Sequence, residues 1–194
     1  MGRIFTLSLV FIMAVALMGC DALRQARVAP DGQEFPRGRI GLFPADAGRY
    51  EEARETVEKS LAELLKDRKT FTEVLSPLVL INDLKTAEKR QLVNEYIRKL
   101  TILNYSDPEM SKSIGEALGI DAFLLSKVEY WGYSTEKDKD VAKIGLGLII
   151  IEAKTGAIRW RAVQYQSRDF LLIRPALADV ARDLLKKMIN QMPQ

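Results

Sequence analysis

Residues 111–163 read SKSIGEALGIDAFLLSKVEYWGYSTEKDKDVAKIGLGLIIIEAKTGAIRWRAV, and the fold turns on them. A short helical stretch with Met110, Ile114, Ala117 and Leu118 on one side is closed by Gly119. Three strand-like runs follow, Ile120 to Trp131, Val141 to Glu152 and Ala157 to Val163. Lys154-Thr155-Gly156 is too short a connection for anything but a hairpin turn, and its glycine supplies the positive φ that such a turn demands. The run Ile144 to Ile151 is apolar on both faces, which predicts a central strand. In the flanking runs, Lys127 and Glu129 alternate with Val128 and Tyr130, and Arg159 and Arg161 alternate with Ile158, Trp160 and Ala162, so each has one covered and one wetter face. Gly145 and Gly147 strip one face of side chains, where a helix packs close or a partner seats.

Working outward, Arg39 to Phe43 predicts a strand stopped by Pro44. Asp46 reads as the N-cap of a helix carrying Tyr50, Ala53, Val57, Leu61 and Leu64 on one stripe. Phe71 to Ser76 predicts a second strand ended by Pro77, with Leu78 to Ile81 as an apolar connection. Helical spacing places a helix from near Thr86 to Ile102, and Asp107-Pro108-Glu109 opens the next one as N-cap, first-turn proline and first-turn carboxylate. A final helix opens at Pro175 and stacks Leu177, Val180, Ala181, Leu184, Met188 and Ile189. The fold class is therefore α/β (α+β): a mixed sheet of about five strands with a C-terminal three-strand meander, flanked by about four helices.

Composition narrows the function classes. The 194 residues carry 29 basic and 26 acidic side chains, a net +3, without the concentrated basic face that nucleic acid demands. Histidine is absent, which removes the commonest general base and metal ligand. No Walker loop, dinucleotide fingerprint, zincin motif or cysteine ligand set is present, so neither a cofactor nor a metal is expected. One cysteine forbids a disulfide within the chain.

That cysteine has another use. Met1-Gly2-Arg3 is a short basic segment, and Ile4 to Met18 is an apolar run of signal-peptide length. The run ends in Leu17-Met18-Gly19-Cys20, which resembles the bacterial lipobox. The resemblance implies a signal peptide over 1–19 and lipidation of Cys20 as the new amino terminus. Two or more acyl chains hold a protein stably where one holds it marginally. Residues 20–38 mix Ala, Arg, Gln, Asp, Gly and Pro without a period and read as a flexible tether, leaving 39–194 as one globular domain. Outer-membrane attachment facing the periplasm is favoured, whereas Asp21 resembles the inner-membrane retention signal of enteric bacteria.

Ala117 to Leu125 resembles the "helix, glycine, Asp-Ala, apolar strand" signature of the TolB amino-terminal domain and the CsgG-like envelope lipoproteins. Glu152 to Trp160 is similar to their "Asp-x-x-Thr-Gly-x-x-x-Trp" hairpin with Glu152 in the aspartate's place, and Arg39 to Pro44 is similar to their opening strand. The resemblance implies a non-enzymatic periplasmic lipoprotein that docks on, or assembles with, machinery for secretion, surface-polymer export or wall assembly. Pore formation of the curli type needs long inserted strands, and Gly132 to Asp140 reads as a short charged hairpin loop. A small-ligand-binding or enzymatic periplasmic domain is the alternative.

The candidate partner-binding residues are Trp131, Arg159, Arg161, Phe170 and Leu171. Trp131 either anchors an interface where its strand leaves the core or folds over the helix layer. Arg159, Arg161, Arg168 and Arg174 either converge on an acidic partner or solubilise the surface. Phe170 to Ile173 either staples the last helix or forms an exposed interface patch.

Overall fold

The structure is a computed structural model that describes residues 26–28 and 35–193. Six strands form one mixed sheet in the order β1-β6-β5-β4-β2-β3: β1 (Ala26–Val28), β2 (Arg39–Leu42), β3 (Glu73–Leu75), β4 (Ala122–Glu136), β5 (Lys139–Glu152) and β6 (Ile158–Phe170). β2 runs parallel to both β3 and β4, and the β4–β5–β6 meander is antiparallel. Five helices flank it: α1 (Arg54–Arg68), α2 (Pro77–Asp83), α3 (Ala87–Leu103), α4 (Pro108–Leu118) and α5 (Leu177–Asn190). The expected α+β class, mixed sheet and terminal meander are present. Cys20 and the leader lie outside the described residues.

Alternation along the meander builds two cores. On one face Leu124, Val128, Trp131, Ile144, Leu146, Leu148, Ile150 and Trp160 are buried together with Val57, Leu61 and Leu65 of α1 and Val180, Leu184 and Met188 of α5. On the other, Phe123 and Ile151 are buried with Leu80 of α2, Val93, Tyr96 and Leu100 of α3 and Ile114 and Leu118 of α4. Phe123 meets Phe43 and Tyr96 edge-on, each at 5.4 Å between centroids, a favoured aromatic geometry. The second helical layer thus sits over only one end of the meander.

Local chemistry sets the helix ends. Thr86 and Asp107 accept from the backbone N–H groups of Lys89 and Met110 as N-caps, and Gly119 closes α4 in the left-handed region at φ 62°. Gly115, inside α4, lets that helix approach β5: a Cβ there would stand 2.6 Å from the Cβ of Ala153.

Several boundaries differ from the sequence expectation. Asp46 does not cap α1; it bridges to Lys127, its side chain accepts from the N–H of Gly48, and a 3₁₀ turn over Glu51–Ala53 precedes the helix. Leu78 to Ile81 is no connection but the body of α2, because Ser76 is extended and Pro77 takes the first helical position, where its missing N–H costs nothing. Gly132 to Asp140 is not a loop: β4 continues to Glu136 and returns through Lys137 and Asp138, both at positive φ, as a tight two-residue turn. β6 likewise runs on to Phe170. At the other end, Phe35 is buried against Phe71 and Ala26–Val28 pairs with Ala162–Trp160, so ordered chain begins before Arg39.

Candidate functional site

The five residues singled out from sequence do not form one site. Trp131 is 8% exposed and belongs to the main core, so the indole folds over the helix layer and is no surface anchor. Arg159 is buried as well. Its Nη2 donates to Glu152 Oε2 at 2.7 Å, while Thr155 donates to the same carboxylate oxygen. Burial works to raise the Glu152 pKa, but the hydrogen bonds from Thr155 and Arg159 outweigh it and hold the carboxyl below its ordinary range. This is a structural ion pair beneath the β5–β6 turn.

The other arginines scatter. Arg161 Nη1 donates to Asn104 Oδ1 at 2.9 Å, Arg168 pairs with Asp183 of α5, and the Arg174 guanidinium lies 5.2 Å from the Tyr133 ring centroid. Of the two alternatives, convergence on a sheet edge is therefore absent: each guanidinium has its own partner on a different element.

Phe170 and Leu171 do share a place. At the far end of the meander Phe170 packs edge-on against Tyr133 at 5.7 Å, and Tyr133 Oη donates to the carbonyl of Pro175 at 2.8 Å. Between these two fixed points Leu171, Leu172 and Ile173 stand 95%, 96% and 86% exposed. They form an apolar tip, not a staple onto α5. Tyr133, which holds the tip, carried no sequence signal, because the strand around it read as a loop.

Gly145 and Gly147 are covered by neither a helix nor open space. The Tyr165 ring lies on Gly145, where a Cβ would meet its Cε1 at 2.4 Å, and Val163, Lys127 and Glu129 crowd Gly147. Lys143 Nζ stands 5.6 Å from the Tyr130 ring and 6.0 Å from that of Tyr165, and also pairs with Glu136 at 2.5 Å, which holds that carboxyl below its usual range. Side chains of this same face thus fill the strip.

Two further apolar surfaces lie on the second helical layer. Leu78, Val79 and Ile81 of α2 are exposed near edge strand β3, since α2 packs on β2 through Leu80 against Gly41. Ile102, Leu103 and Tyr105 are exposed at the end of α3, which reaches β6 through Asn104 and Arg161. The two surfaces lie towards opposite edges of the sheet, over β2 and β6, the strands next to the edge strands β3 and β1.

A cavity of ≈ 770 Å³ at the start of β2 and β4 is lined by Arg37, Arg39, Asp121, Glu152 and Lys154 among others. Two of the carboxylates lining it are engaged: Asp121 accepts from the Arg39 N–H at 2.7 Å, and Glu152 holds Arg159, while Glu116 of α4 also lines the cavity. Among the described residues no helix is long and apolar enough to cross a membrane.

No family model matches the sequence, and neither does any curated protein. Solved structures do share the fold. PelC from Paraburkholderia phytofirmans, solved as a dodecamer, superposes with a TM-score of 0.54 at 16% identity, covering 88% of this chain and 100% of that one. Lipoprotein GNA1162 from Neisseria meningitidis superposes at 0.50 with 14% identity, covering 80% and 97%. At these identities the likeness is one of fold: this chain has the architecture of bacterial proteins that include a lipoprotein and a protein solved as a dodecamer.

Proposed function

We propose that the protein is a non-enzymatic, lipid-anchored envelope lipoprotein that assembles with further copies of itself as part of envelope machinery for secretion, surface-polymer export or wall assembly. The observation that carries the reading is the fold match along the whole length of PelC, which assembles as a dodecamer. The lipobox at Cys20 supplies the anchor, with attachment facing the periplasm and the outer membrane favoured. The TolB and CsgG-like affinity of the motifs belongs to the same reading.

The two helical-layer surfaces support head-to-tail assembly. An isologous contact uses one patch twice, whereas two different patches on opposite edges join each copy to the next and close into a ring if the rotation allows. The α2 surface of one copy would meet the α3 end of its neighbour. Engagement of Asp121 in a backbone bond and of Glu152 in an ion pair favours this reading over an acid–base enzyme built on those two carboxylates.

Light scattering coupled to size exclusion tests it on the purified lipoprotein. A defined multimer is expected, and Leu78→Asp or Leu103→Asp should each reduce it to monomer with unfolding unchanged. A wild-type monomer across the accessible concentration range would sink the self-assembly reading.

A further inference from the structure

We propose that Leu171, Leu172 and Ile173 are a second membrane contact, inserted among the acyl chains of the leaflet that holds the lipidated Cys20. The proposal rests on the lipid-anchor reading above and adds the orientation of the domain on the bilayer.

The register of β1 carries the argument. β1 runs antiparallel to β6, with Ala26 opposite Ala162 and Val28 opposite Trp160. Followed backwards towards the amino terminus, the chain therefore travels along β6 in the direction of Phe170 and the apolar tip. Ala162 is eight residues short of Phe170, about 27 Å at strand rise. Cys20 precedes Ala26 by six residues, which reach at most about 20 Å. The polarity of β1 directs the chain towards the tip where the described residues begin, and the six residues to Cys20 are long enough to cover most of the remaining distance. The described chain thus leaves β1 pointing towards the tip, while the helical layer of α2 to α4 and the β5–β6 turn lie at the other end of the meander.

The tip is built to present its side chains. Phe170 against Tyr133 fixes one end, the Tyr133 hydroxyl on the Pro175 carbonyl fixes the other, and Arg174 lies over the same ring. A loop held at both ends gives up little conformational freedom on insertion. Three consecutive aliphatic side chains so fully exposed have no cover among the described residues, and such exposure marks a contact site.

A second copy fits the tip poorly. Three side chains offer on the order of a few hundred Å², against roughly 800 Å² per partner in a standard stable interface. Lipid needs no matching surface. The neighbouring charges are mixed: Lys137, Lys139 and Arg174 stand among Asp138, Asp140 and Asp169, and Lys139 pairs with Asp169. Insertion should therefore depend on acyl chains and not on anionic headgroups.

The test uses the full lipoprotein. Once Cys20 is acylated, Leu172→Cys provides the only free thiol, and it is labelled with the environment-sensitive fluorophore NBD; Lys154→Cys, exposed in the β5–β6 turn at the opposite end of the meander and outside both helical-layer surfaces, is the control. Both are reconstituted into vesicles of phosphatidylethanolamine with varied phosphatidylglycerol, with or without brominated acyl chains, and the mass of each protein reports acylation. The proposal expects a blue-shifted, severalfold brighter signal at 172 that brominated chains quench at every phosphatidylglycerol fraction, and an aqueous signal at 154. An acylated protein with an aqueous, unquenched label at 172 overturns it while leaving the anchor intact. A blue shift without quenching by lipid-borne bromine means that protein covers the tip, and also overturns it. An unmodified Cys20 by mass refutes the anchor and removes this proposal with it.

Discussion

Replacing Trp131 by alanine separates a core residue from a contact residue. The indole is 8% exposed and lies opposite Ile144 in the register of β4 and β5. Burying an aromatic of this size removes roughly 200 Å² from water, or about 5 kcal/mol at 25 cal/mol per Å². Compact unfolded chains already hide some of that area, which lowers the figure to about 3–4.5 kcal/mol. Tryptophan-to-alanine changes in cores cost about 3–5 kcal/mol, in agreement. Urea titration of the unlipidated chain, followed by circular dichroism so that the lost fluorophore does not matter, should show a lower midpoint with an unchanged slope. The multimer should persist wherever the mutant remains folded. A loss below about 1 kcal/mol would refute the core assignment, because surface substitutions fall in that range.

Other expectations follow from the same geometry. Cys20→Ser should abolish incorporation of a fatty-acid analogue in cells and leave an unprocessed precursor; unchanged labelling would refute the lipobox. Glu152→Gln should cost about 3 kcal/mol by leaving the Arg159 charge buried and unpaired, whereas Glu152→Gln with Arg159→Met should recover part of it, as denaturant titrations of both would show. The Glu152 carboxyl lies below its ordinary 4.5 when folded, so its contribution is complete above that value and is lost as pH falls through the lowered one. Wild type should therefore lose more stability than Glu152→Gln between neutral pH and acid below 4.5, and parallel pH profiles would contradict the shift. Gly115→Ala should lose about 1–2 kcal/mol although alanine favours helix by about 1, because the new Cβ meets Ala153 and the Ile120 carbonyl; Ala153→Gly in the same chain should restore stability.

The meander was legible because its strands carry their own signals: period-two alternation, a turn glycine and an apolar centre. Asp107-Pro108 and Gly119 were legible too, since capping is a local event. What escaped depended on distant neighbours. Leu78 to Ile81 has only one fully buried side chain, Leu80, so no helical stripe shows, and the Ser76-Pro77 start was the only available signal. β4 beyond Trp131 is polar on both faces in sequence, and its pairing with β5 holds it extended. Arg159 looked like half of a surface alternation. A register shift between Ile150 and Ile151 lets Ile151 face Ile158, and Arg159 then turns inward to Glu152. Sequence alternation cannot reveal such a shift.

That same separation of local from distant determinants explains where the surfaces lie. α1 and α5 run beneath the meander from Ile150 to Trp131, so one face is buried along its length. α2, α3 and α4 gather over Phe123 and Ile151, where β2 and β3 widen the sheet and give them something to cover. Beyond Lys127 and Gly147 no helix among the described residues covers the second face, and Tyr130, Lys143 and Tyr165 close over the glycines in its place. A three-strand arm covered on one side therefore projects from a domain covered on both. Its end lies away from the helical-layer surfaces, and β1, read back to Ala26, runs towards it. A contact at that end and contacts on the helical layer can be made at the same time without competing for one surface, which is what a subunit fixed to a membrane and joined to its neighbours would need.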